Sequence, residues 1–121
     1  RAETIETLFE EAARALFSVI LENPQRISAN RSFSFKIEGT RNDELLLDWL
    51  DALLFKFSSE HIVFGKFSVD FGGGGLIATA WGEKYSQATH GIGEEVKAIT
   101  YHCLKVEKQG NMWHGEVIID L

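Results

Sequence analysis

The chain alternates between two spacings of apolar residues. From Ile5 to Ile20 they recur at helical intervals: Ile5, Leu8, Phe9, Ala12, Leu16, Val19 and Ile20. Thr4 is the expected N-cap, and Glu6, Glu10 and Glu11 place negative charge near the helix N-terminus, where the macrodipole favours it. The helix is expected to stop before Pro24, because the residue preceding a proline avoids the α region. From Arg31 to Gly39 the interval falls to two. Phe33, Phe35 and Ile37 point one way, and Ser32, Ser34, Lys36 and Glu38 the other, which predicts a half-buried strand. Helical spacing returns after Thr40 and Asn42, each a candidate cap, and runs to about Ser58. Its apolar set is Leu46, Trp49, Leu50, Leu53, Leu54 and Phe57, widened by Leu45 and Leu47. A stripe this wide predicts a largely buried helix, with Trp49 filling core.

Ile62 to Phe71 reads as a strand again, with Phe67, Val69 and Phe71 alternating against Lys66, Ser68 and Asp70. The four glycines 72–75 do not form a phosphate loop, since no Lys-Ser/Thr follows and no helix begins there; a flexible hairpin turn is expected. Leu76 to Trp81 is the next strand, broken by Gly82-Glu83-Lys84, and Tyr85 to Ile92 reads as irregular. Gly93 to His102 reads as a buried strand. It is expected to form a hairpin with the last strand, Val117 to Leu121, around a turn at Gly110-Asn111. Setting Gln109 opposite Met112 puts Glu107 opposite His114, Lys105 opposite Glu116, Leu104 opposite Val117 and His102 opposite Ile119. Asp120 then faces Tyr101, and Asp120, Ile99, Lys97 and Glu95 share one face.

The order α β α β β β β defines an α+β protein. A single domain over residues 1–121 is expected, with a largely antiparallel sheet of at least five strands and two helices packed on one face. On the other face Ile99, Tyr101, Cys103 and Ile118 form an apolar patch that a further strand, a loop or a partner has to cover. A helix opening within four residues of Arg1 suggests that an earlier element precedes it.

Composition narrows the class. Hydrophobic residues make up 45% and charged residues 25%, which excludes a disordered chain. No apolar run approaches the roughly 20 residues of a membrane helix, and no signal peptide is visible. The lone Cys103 excludes an intramolecular disulfide and suits a reducing cytoplasm; mid-strand, it reads as a small packed side chain. A net charge of −6 argues against direct, strong nucleic-acid binding. His61, His90, His102 and His114 lack metal-ligand spacing, and His102 reads as a hydrogen-bonded core histidine. Glu94 and Glu95, as strand neighbours, point opposite ways. Asp120 beside a terminal carboxylate on Leu121 offers two hard oxygen donors, suited to calcium or magnesium, against the plainer reading of a solvated strand end. Calcium takes about six to eight oxygens, so at least one more acid has to come from elsewhere.

The run Glu94-Glu95-Val96-Lys97-Ala98-Ile99-Thr100-Tyr101-His102, followed by Val117-Ile118-Ile119-Asp120-Leu121, closely resembles the archease family. Thr4 to Ala13, Trp49-Leu50, Phe55 to Ser58 and Trp81-Gly82-Glu83 extend the resemblance over nearly the whole chain. It implies a small α+β accessory protein, not itself an enzyme. Such a protein promotes guanylylation and repeated turnover of an RtcB-type RNA ligase in tRNA splicing and RNA repair. It also implies a divalent-metal site, with calcium expected and magnesium or manganese as the other candidates. Asp120 and Leu121 match the metal-site positions, and Glu95, Lys97 and Thr100 match the polar positions expected to support the site or the partner. By the same resemblance the family's second metal-binding aspartate lies in an N-terminal His-Thr-Ala-Asp segment, which this sequence does not contain. The reading from another class is a chaperone-like module that binds clients through the apolar sheet face. A metal-dependent enzyme is a third, for which no nucleophile–base pair can be named.

Overall fold

The computed structural model describes residues 1–121. Helix α1 spans Ile5–Ile20, and a 3₁₀ turn Pro24–Arg26 leads into β1, Arg31–Glu38. Helix α2 spans Asn42–Glu60, followed by β2, Ile62–Phe71, and β3, Gly75–Lys84. A one-turn helix α3, Gln87–His90, precedes the hairpin of β4, Ala98–Gln109, and β5, Met112–Asp120. The class is α+β, and all strand pairing is antiparallel. The five strands divide between two sheets, ordered β1-β3-β2 and β4-β5.

Both helices follow from their apolar spacing. Thr4 caps α1 as expected, its hydroxyl accepting from the Thr7 N–H at 3.0 Å. α1 is amphipathic and buries Leu8, Phe9, Ala13, Leu16, Phe17 and Ile20. α2 differs. Arg41, not Thr40 or Asn42, is its N-cap, and no side chain caps it; Asp43 and Glu44 in the first turn satisfy the dipole instead. Leu45, Leu46, Leu47, Trp49, Leu50, Leu53 and Leu54 are all buried, so the helix is apolar on more than one side. It needs two partners and has them: the three-stranded sheet and α1 on one side, β4 on the other. The two helices therefore lie between the sheets, not on one face of a single sheet.

The core is aromatic where α1, α2 and the large sheet meet. Phe17 packs edge-on against Phe64, and Phe35 edge-on against Trp49. Trp49 is fully buried, and its indole N–H donates to the Phe9 carbonyl at 3.0 Å, tying α2 to α1. The free edge of β2 is closed from α1. The Glu10 carboxylate accepts from the outward N–H of Val69 at 2.9 Å, and a bulge interrupts β2 between Phe64 and Lys66.

Candidate functional site

The hairpin keeps the expected turn at Gly110-Asn111, where Gly110 takes φ 61°, and the expected register from Gln109↔Met112 to Lys105↔Glu116. Between Lys105 and Thr100 the register jumps. Thr100 faces Ile118, Ile99 faces Ile119 and Ala98 faces Asp120, three residues from the Tyr101 position that unbroken alternation predicts. Cys103 sits in the break with φ 56°, in the left-handed region that side chains rarely adopt. The break turns its residues outward. Tyr101 is 71% exposed, and His102 and Cys103 are exposed rather than packed, which overturns the reading of both as interior side chains. Ile99 is buried, so the apolar outer patch reduces to Tyr101, Ile118 and their neighbours.

The strand expected from Gly93 becomes regular only at Ala98. Gly93 to Lys97 runs extended against α1 instead, with Gly93 N–H donating to Ile20 C=O and Glu94 N–H to Val19 C=O. Only glycine fits at residue 93, because a Cβ there would lie 2.4 Å from the Val19 oxygen. Glu94, Glu95 and Lys97 are all exposed, and they lie before the regular part of β4. Lys97 N–H donates to the Asp120 carbonyl at 2.7 Å, which fixes these two residues side by side. Asp120 shares its strand position with Ala98, not with Ile99, while Lys97 and Glu95 belong to the extended approach. The face predicted from alternation is therefore wrong, but the proximity of Lys97 to Asp120 stands.

At this corner Asp120, Leu121, Glu95 and Lys97 are exposed, and none of them forms an ion pair. The Thr100 hydroxyl is different: it is buried without a hydrogen-bond partner. The donor chemistry at Asp120 is hard carboxylate oxygen, which suits calcium or magnesium, but no group of three or more His, Cys, Asp or Glu converges here or elsewhere. The residues gathered at this corner do not make a complete coordination shell. Beside the corner an apolar groove of ≈ 820 Å³ lies between α1 and β5, lined by Leu8, Ala12, Leu16, Val117 and Ile119 among others. Ala2 enters the outer edge of β5 at Trp113 through two backbone hydrogen bonds of 2.9 and 2.6 Å.

Sequence reasoning missed His90. It is buried, with one ring nitrogen 2.9 Å from the Glu83 carboxylate and the other accepting from Ser86 N–H at 3.0 Å. Both contacts are satisfied by the neutral imidazole protonated at Nε2. Glu83 also accepts from Ser28 N–H at 2.9 Å; that bond first, and His90 second, hold its carboxyl below its ordinary value of 4.5. The Tyr85 hydroxyl donates to Gly91 C=O. Together these contacts clasp the end of β3 to the start of the run that carries Glu95 and Lys97. The readable signal was Glu83 followed seven residues later by a histidine next to Gly91.

These observations define an α+β protein with an exposed, charged corner at the open end of a two-stranded hairpin. The Archease protein family (MTH1598/TM1083) model matches residues 1–121. The chain is 36% identical to the protein archease of Methanosarcina mazei, over 98% of this chain and 84% of that one. It is also 36% identical to that of Pyrococcus furiosus, over 98% and 87%. The solution structure of Methanobacterium thermoautotrophicum protein 1598 superposes with a TM-score of 0.82 at 36% identity, covering 97% of this chain and 85% of that one. The chain belongs to the archease family.

Proposed function

We propose that this protein is an accessory factor of an RtcB-type RNA ligase, promoting guanylylation and repeated turnover of the ligase in tRNA splicing and RNA repair. The carrying observation is the 2.7 Å bond from Lys97 N–H to Asp120 C=O, which sets a free carboxylate and a free ammonium at one exposed corner. Charges not spent within the chain are available to a partner or an ion. Asp120 and Leu121 contribute oxygens to a divalent cation, with calcium the first choice. The remaining donors come from the family's N-terminal His-Thr-Ala-Asp segment, for which the groove beside β5 and the direction of Ala2 offer a course. A bound cation would supply a fixed positive charge near the ligase's nucleotide site. Lys97 and Glu95 orient the partner's polar groups, and the Thr100 hydroxyl gains its missing partner on assembly.

The test is multiple-turnover ligation by an RtcB-type ligase with this protein carrying Asp120→Ala. Activation falls at least about tenfold, as for loss of a group acting directly on the assembled site. Because Asp120 is exposed, the substitution changes folding stability by less than about 0.5 kcal/mol in urea unfolding. Undiminished activation by the folded variant removes Asp120 from the mechanism.

One observation favours a second reading. Tyr101, Ile118, Leu121 and Ile92 are large apolar side chains left exposed around the same corner. A chaperone-like module would use them to hold clients. Suppression of aggregation of unrelated proteins that persists in Asp120→Ala selects that reading.

A further inference from the structure

The molecule treats its sheet edges unequally. β2 is closed by Glu10 and broken by a bulge, and β5 is entered by Ala2. β1 ends the order β1-β3-β2 with none of these devices: no proline, no bulge and no covering strand.

The phase of its backbone follows from one bond. Gly39 N–H donates to Gly74 C=O at 2.9 Å, in step with the β1–β3 register. Odd-numbered residues of β1 therefore aim their backbone groups at β3, and Ser32, Ser34, Lys36 and Glu38 aim theirs outward. No partner within the chain takes these outward groups. Phe33, Phe35 and Ile37, on the core-facing side, are only half-buried.

We propose that β1 is a homodimerisation edge, pairing antiparallel with β1 of a second copy about a two-fold axis at Phe35. The occupant follows from self-complementarity. To keep the aromatic faces together and use the outward groups, even residues must pair with even. Any two-fold centred on a residue satisfies this, and the three centred nearest the middle of the strand keep most of it paired. Centring on Ser34 brings Arg31 opposite Ile37 and leaves Glu38 against Asn30, beyond the strand. Centring on Lys36 sets two lysines directly opposite, which is unfavourable. Centring on Phe35 pairs Ser34 with Lys36 and Ser32 with Glu38, uses every outward group of the strand, and stacks Phe33 against Ile37 and Phe35 against its copy. The product is a closed six-stranded sheet in which each β1 edge is consumed, so assembly stops at two. One strand pair buries little surface, so the dimer is weak and concentration-dependent.

Sedimentation equilibrium of the whole chain tests this. The wild-type mass rises from 13.6 kDa toward twice that value as concentration approaches about 1 mM. Ser34→Glu faces Lys36 of the other copy twice and tightens the dimer about tenfold, while Ser34→Lys loosens it by a similar factor. In the other two registers Ser34→Glu meets a like charge and loosens it. Lys36→Pro removes an outward N–H that β3 does not use; it leaves the circular dichroism spectrum intact and abolishes the dimer. A monomer at every concentration, loosening by Ser34→Glu, or a dimer that survives Lys36→Pro overturns the proposal.

Discussion

The three-stranded sheet with its helices and the β4–β5 hairpin with its approach run are built on different terms. In the first, the side chains decide: Phe17, Trp49, Leu53 and Phe64 are fully buried, and the register runs without a break along β1 and β3. In the second, the backbone decides. Gly93 is pinned to α1, the register jumps at Cys103, and most of the outward side chains meet water. The packed half supplies stability. The irregular half sets Asp120 beside Lys97 through a backbone bond.

Substitutions can test this division, beginning with the largest effect. Trp49→Ala empties the centre of the packed half and leaves the Phe9 carbonyl without its indole donor; it costs about 3–5 kcal/mol in urea unfolding. A loss below about 1 kcal/mol would erase the contrast. Gly93→Ala drives a methyl into the Val19 carbonyl and pushes the approach run off α1, costing about 2 kcal/mol. Under the proposed role, ligase activation falls further than stability explains, because Lys97 moves relative to Asp120. Equal losses in both would mean that the run is ordinary scaffold.

Glu83 gives the smallest effect and a pH signature. Its folded pKa lies below the ordinary 4.5, so the unfolded chain takes up its proton first as acid is added. The stability it contributes is complete above about pH 4.5 and is lost as the pH falls through the folded value. Glu83→Gln therefore lowers stability by about 1 kcal/mol at pH 7, for the weakened bonds to Ser28 and His90, and the difference from wild type shrinks below pH 4.5. Parallel stability curves across that range would show that the clasp carries no charge-dependent stabilisation.

The packed half was legible because its periods are unbroken. Phe33, Phe35 and Ile37 alternate, and the wide apolar stripe of α2 predicts a largely buried helix. β2 begins and ends where its alternation does, at Ile62 and Phe71. The hairpin turn and the five pairs nearest to it were legible for the same reason, since Gly110-Asn111 fixes both. Beyond Lys105 the reading fails, because alternation has no way to signal a three-residue jump. Glycine at position 103 would have flagged a left-handed residue, but cysteine does not. The division into two sheets escaped for another reason. It depends on what α2 packs against, and an all-round apolar helix does not say which strands cover it. Of the site, the Asp120–Lys97 adjacency was readable and its face was not. The Glu83–His90 clasp lay in a stretch with no period at all.

The burial of α2 on both sides has one more consequence. Peeling away the hairpin would strip a leucine-rich helix of its cover, and peeling away the larger sheet would do the same from behind. Neither layer can therefore leave while the other stays folded. The expected unfolding by heat or denaturant is one cooperative step, in which the exposed corner at Asp120 shares the melting point of the whole.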